Sequence, residues 1–220
     1  MSTSLEKLEY NYAKLYYKCM PGRNIVKIYD VNAYYHVYNR GVEKRMIFLD
    51  DQDYAMFLSL LKRHLSKVPS TGSQGREREW LANDVEVVAF CLMPNHFHLL
   101  LYQIEINAVT KLLRAVCSAY VSYFNDKYGR VGPLFQGKFK AISLNNSGYL
   151  LYLTRYIHRN PSDFMRWEWS SLSYWLGEKS CSWVRPQRLN DMSHNMYLGY
   201  IKDENDYKTS FDEISEIIFQ

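Results

Sequence analysis

Apolar positions change their period several times along the chain, and each change marks an element. Residues 33–39, Ala-Tyr-Tyr-His-Val-Tyr-Asn, are strand formers that end at Arg40-Gly41, a turn signal. Leu49-Asp50-Asp51 offers helix N-caps. From Tyr54 to Leu65 the apolar residues Tyr54, Phe57, Leu58, Leu60, Leu61 and Leu65 recur at helical spacing. Residues 69–79, PSTGSQGRERE, are turn formers and charges and read as a surface loop. Val85–Met93 reads as a buried strand, Pro94-Asn95 breaks it, and His96–Tyr102 reads as the second arm of a hairpin.

A long helix follows from Asn107 to Tyr128. Val109, Leu112, Leu113, Val116, Ala119, Tyr120 and Tyr123 line one side, and Gly129 is its natural stop. Pro133 to Leu144 alternates loosely, which predicts a strand. Asn146-Ser147 caps a helix that runs to about Arg159 and is stopped by Asn160-Pro161. The order is βαββαβ and then a helix. The expected fold class is α+β: a ferredoxin-like antiparallel sheet with helices on one face, plus a C-terminal helix. A core segment of 31–165 is expected between an N-terminal extension, 1–30, and a C-terminal tail, 166–220.

Composition narrows the classes. The 220 residues are 47% hydrophobic and 23% charged, as in ordinary globular proteins. No apolar run reaches the ~18–20 residues that span a bilayer, and the first residues lack a signal-peptide core. The expectation is a cytoplasmic protein with no membrane partner. Cys19, Cys91, Cys117 and Cys181 form no CxxC pair and read as free thiols. Tyrosine is over-represented at 20 residues, and it can pack, stack on bases or act as a nucleophile.

Charge is uneven along the chain. Residues 106–144 hold six bases and one acid, whereas residues 191–220 hold two bases and seven acids. The basic middle suggests a polyanionic partner. From charge alone, the acidic tail could compete for that basic face.

Two pieces could carry chemistry. His96 and His98 lie at i and i+2 on a strand, so both imidazoles share a face while Phe97 takes the other. Two neighbouring nitrogen donors suit a divalent metal. In the helix ending LLYLTRYIHRNP, Tyr156 and Asn160 are four apart and share a helical face, while His158 points elsewhere. Asn160 would add an amide oxygen, and an oxygen ligand suits a hard ion, Mg²⁺ or Mn²⁺. Each piece alone also has an ordinary reading as packing or as a helix stop.

Five ordered motifs, with a tail segment after them, weigh against the ordinary reading. YYHVYNRG (34–41), FLDDQDY (48–54), AFCLMPNHFHLLL (89–101), GPLFQGKFK (132–140) and YLTRYIHRNP (152–161) occur in sequence, and WEWSSLSYWLG (167–177) follows them. Together they resemble the single-tyrosine transposases with an HUH motif (histidine, hydrophobic, histidine), of the insertion-sequence and REP-associated tyrosine transposase type. The resemblance covers about residues 33–161. It implies an HUH endonuclease fold whose C-terminal helix is catalytic.

It also implies metal-dependent cleavage and strand transfer of single-stranded DNA, with hairpin structure, through a 5′-phosphotyrosine. Tyr156 would be the nucleophile, His96 and His98 the metal-binding pair, and Asn160 the third ligand, where some relatives carry glutamine. Tyr152, one turn earlier, reads as packing. Asn39, Arg40, Lys111, Arg114, Lys138 and Lys140 are the expected DNA contacts, and Tyr34, Tyr35 and Tyr38 are stacking candidates of which at least one belongs to the core. Relatives act as monomers or as homodimers. Two alternatives stand beside this reading: a hairpin-DNA-binding module that does not cut, and a zinc hydrolase using the HxH pair.

Overall fold

The computed structural model describes residues 29–67, 80–144, 147–189 and 191–204. Residues 1–28 of the extension, the segment 68–79, residues 145–146 with the expected Asn146 cap, residue 190 and residues 205–220 of the acidic tail lie outside the described residues. Strand β1 spans Ala33–Arg40, helix α1 Asp51–Leu65, β2 Val85–Met93 and β3 His96–Gln103. Helix α2 spans Ala108–Lys127, β4 Lys140–Leu144, α3 Ser147–Arg159, the short α4 Leu172–Trp175 and α5 His194–Lys202. Asp50 caps α1 by accepting from the Asp53 amide at 3.1 Å, as its sequence position predicts.

The strands form one antiparallel sheet in the order β2-β3-β1-β4. This is the ferredoxin-like arrangement that the βαββαβ order predicts. The fourth strand is shorter than expected. Pro133 and Gly137 interrupt the ladder, so residues 133–139 form a loop and only Lys140–Leu144 pairs with β1.

The two sheet faces bury separate clusters. Tyr35, Val37, Phe97, Leu99 and Leu101 face α1 and α2 and join Phe57, Leu61, Leu112, Val116 and Tyr120. Leu100, Cys91 and Leu144 face the other way and join Leu150, Leu153, Tyr156 and Ile157 of α3. A bulge between Val87 and Ala89 lets Val88 and Ala89 both serve this second cluster. The first two helices thus share one face, and α3, with residues of α4 and α5, covers the opposite face.

The tail after 161 closes the open edge of β2. Trp167 and Trp175 donate their indole N–H groups to the carbonyls of Leu92 and Val88 at 3.0 and 2.9 Å. The Leu92 amide donates to the Trp169 carbonyl, and the Ser171 and Arg185 amides donate to the carbonyls of Phe90 and Val87. An edge strand covered in this way offers no ladder to another chain.

Candidate active site

The β1–β3 register builds the site. Tyr38 is the cross-strand partner of His98, and Arg40 is the partner of His96. Partners in an antiparallel pair project to the same face, so Tyr34, His36, Tyr38 and Arg40 stand on the same side as His96 and His98. That side is the one α3 covers.

The HxH pair and the end of α3 meet there. His96 and His98 have ring centroids 5.0 Å apart and perpendicular planes. The Tyr156 ring lies edge-on to His98 at 5.4 Å. His96 Nε2 lies 3.2 Å from Asn160 Oδ1, across 64 residues of chain. Two pairs of residues, about sixty positions apart in sequence, are therefore gathered at one place. Tyr156 is 6% exposed, and His96 is the more open of the two histidines.

The hydrogen bonds set the state of His96. Its Nδ1 lies 2.6 Å from Asn95 Oδ1, an oxygen that can only accept, so Nδ1 carries the proton. Burial, the dominant influence, holds His96 below its ordinary pKa. The Arg40 charge adds to this, and Asn160 opposes it. The neutral ring then turns a lone pair at Nε2 toward the lone pairs of Asn160 Oδ1. Two acceptors facing one another across 3.2 Å are not a hydrogen bond, but they are a fit for a shared cation. Neighbouring oxygen or nitrogen ligands of an octahedral ion at about 2.1 Å lie about 3 Å apart.

His98 is fully buried, and burial, then His36 and His96, holds it well below its ordinary pKa. Its Nδ1 is engaged with His36 Nε2 at 2.9 Å, which leaves Nε2 as the nitrogen a cation could take. Among the described residues no three His, Cys, Asp or Glu side chains converge as a metal-binding group. A cation here would rest on two imidazoles and one amide oxygen.

His36 is the member of the site that sequence spacing missed. Alternation puts it on the face of Tyr34 and Tyr38, but only the register shows that this is also the face of His98. The expected DNA contacts divide into groups. Arg40 is exposed beside His96, and Lys140 is exposed with its Nζ 5.6 Å from the Tyr38 ring centroid. Lys138 is exposed on the loop before β4. Asn39 is buried on the other face: it donates to Gly137 O at 3.0 Å and accepts from the Arg40 amide at 2.9 Å, so it holds a turn. Lys111 and Arg114 are exposed on α2, behind the sheet, and do not join the histidine face. Tyr35 is the core member of its trio.

Helix α3 is held from behind by the tail. His158 is fully buried between Tyr197 Oη and Ser171 Oγ, both at 2.7 Å. Tyr197 also donates to Thr154 Oγ1 at 3.0 Å, Arg155 donates to Asp203 O, and Arg159 reaches Ile201 O and Glu204. Tyr152 packs in the cluster beneath α3, its ring 6.4 Å from Tyr200.

Residues 78–160 match the family model described as "Transposase IS200 like". The match spans less than half of the 220-residue chain. It contains His96, His98, Tyr156 and Asn160, and it leaves out β1. Among solved structures, the chain is similar to a REP-associated tyrosine transposase bound to a REP hairpin. The identity is 12%, the TM-score 0.48, and the match covers 79% of this chain and 96% of that one. It is also similar to a candidate transposase from Deinococcus radiodurans R1, at 16% identity and TM-score 0.36, over 60% of this chain and 90% of that one. No curated protein matches. No helix among the described residues is long and apolar enough to cross a membrane.

Proposed function

We propose that this site cleaves and rejoins single-stranded DNA through a 5′-phosphotyrosine on Tyr156. The observation that carries the reading is the meeting of His96 Nε2 and Asn160 Oδ1 at 3.2 Å, one helical turn beyond Tyr156. The match of residues 78–160 to the IS200-like transposase model supports it, since His96, His98, Tyr156 and Asn160 lie within the matched segment.

The chemistry follows from the side chains. Tyr156 Oη attacks the phosphorus of a phosphodiester, the phosphorus–O3′ bond breaks, the phenol gives up its proton and the released 3′-oxygen takes one. The bond energy stays in the phosphotyrosine, so a 3′-hydroxyl can reverse the step and join a new end. A water in place of tyrosine would end the reaction at hydrolysis. A free phenol, with pKa near ~10, is a weak nucleophile at neutral pH. Mg²⁺ or Mn²⁺, held by His96, His98 and Asn160, would supply positive charge for the phosphate oxygens and ease phenol ionisation.

The protein's own part is orientation. Asn95 fixes the His96 tautomer, α3 carries Tyr156 with Asn160 just past its end, and His158 ties α3 to β2 through Ser171 and to α5 through Tyr197. Arg40 and Lys140 lie on that face beside the histidines and Tyr38, and they are the proposed phosphate contacts. DNA with hairpin structure is the proposed substrate.

The test is incubation of the full chain with labelled single-stranded hairpin DNA from the flanks of its own gene, with Mn²⁺, followed by a denaturing gel. The expected result is a band at the mass of protein plus DNA, absent with chelator and absent in Tyr156→Phe. Tight hairpin binding with no adduct under any condition would favour the binding module instead.

A further inference from the structure

His36 has no task in the reaction above, yet it is wholly buried beside His98. A buried imidazole forfeits hydration and is kept at a cost unless its nitrogens are used. His36 uses one. Nε2 meets His98 Nδ1 at 2.9 Å, while Nδ1 is buried with no hydrogen-bond partner. The two rings lie within 14° of parallel, and the Tyr38 ring lies against both, 5.1 Å from His36 and 5.9 Å from His98. His36 and His98 are diagonal neighbours across the β1–β3 ladder, the offset that long side chains can bridge.

Two neutral states of the pair are available. In one, His36 donates from Nε2, so His98 Nδ1 accepts and its proton sits on Nε2, where it blocks ligation. In the other, His98 donates from Nδ1, which frees its Nε2 lone pair and moves the His36 proton to Nδ1. The pair passes between them with no change of charge. The second state leaves the His36 Nδ1–H buried without an acceptor, so a cation at His98 Nε2 is what selects it.

Resting on the cation reading of the site, we propose that His36 is the positioning residue of His98. It accepts the His98 Nδ1 proton and so presents the Nε2 lone pair to a divalent cation. Metal-bound histidines commonly rely on such a partner, most often a carboxylate or a carbonyl. A neutral imidazole does the same work without adding a negative charge, which at this position would oppose an incoming phosphodiester and would be costly to bury.

The test measures Mn²⁺ affinity of the full chain by calorimetry for wild type, His36→Met and His36→Gln, with thermal melts of each. Methionine fills the space without a comparable acceptor, and glutamine restores a carbonyl oxygen near the position of Nε2. His36→Met should weaken Mn²⁺ binding by about 10- to 100-fold, and His36→Gln should stay within about threefold of wild type by the same logic. In parallel, two-bond ¹H–¹⁵N spectra of ring-labelled wild type with saturating Mg²⁺ should show His98 protonated at Nδ1, a readout that does not depend on either variant folding. Mn²⁺ affinity unchanged in a folded His36→Met, or His98 protonated at Nε2 under Mg²⁺, overturns the proposal. A wild type that binds no Mn²⁺ at millimolar concentration overturns the cation reading itself, and this proposal with it.

Discussion

His158 and His96 are two helical or strand histidines with opposite surroundings. His158 is used up by structure: its two nitrogens meet Tyr197 and Ser171, and burial pushes it down to about 3. The unfolded chain takes a proton at about 6.5 that the folded chain refuses, so this group's stability is complete above 6.5 and is lost as pH falls toward 3. Between pH 7 and 5 that amounts to about 2 kcal/mol for one such group. Urea titrations should therefore show His158→Gln losing less stability than wild type over that interval, by about that amount. An equal loss in both would mean the histidine is not held neutral. Ser171 makes a simpler case. Its Oγ accepts from the Phe90 amide at 2.8 Å and meets His158. Ser171→Ala strands both partners and should cost about 1–3 kcal/mol in the same titration.

At the scale of elements, the site depends on how β1 ends and how α3 is seated. Gly41 gives its amide to Asn95 O at 2.9 Å, which ties the end of β1 to the turn before His96. A Cβ at Gly41 would lie 2.2 Å from Arg45 O, a contact no side chain can make. Gly41→Ala should cost on the order of 3 kcal/mol and weaken Mn²⁺ binding by displacing that turn; calorimetry and a melt read both. The helices and the hairpin were legible because their cues are local: Asp50 as a cap, Pro94-Asn95 as a break, the 3.6 period of Val109–Tyr120. The His96–His98 and Tyr156–Asn160 pairs were legible for the same reason, since periods of 2 and 3.6 fix faces within an element. His36 was not, because its role depends on a register that no local pattern encodes. The strand over 133–139 failed because loose alternation cannot outweigh Pro133 and Gly137 in a ladder.

Over the whole molecule, a run of charge along the sequence proved to be two separate surfaces. Lys111 and Arg114 ride on α2 behind the sheet, while Arg40 and Lys140 flank the histidines, although all but Arg40 belong to one basic stretch of sequence. Net charge was readable, but its division between faces needed the sheet. Binding to single-stranded hairpin DNA should weaken with salt, and each phosphate contact removed should lower the slope of log K against log salt by about 0.7–0.9. Arg40→Ala and Lys140→Ala should each do so, while Lys111→Ala and Arg114→Ala should leave the slope unchanged. The tail shows the same lesson from the other side. Its Trp-Ser-Ser segment reads only as a family feature in sequence, but in space it seals β2 and braces α3. The most direct test of the central claim is to isolate the protein–DNA adduct, digest the DNA to a single nucleotide, cut the protein with trypsin and sequence the labelled peptide by mass spectrometry. The account predicts the nucleotide on Tyr156 in the peptide 156–159. A label on Tyr152 or any other residue, or cleaved DNA with no attached protein, would contradict it.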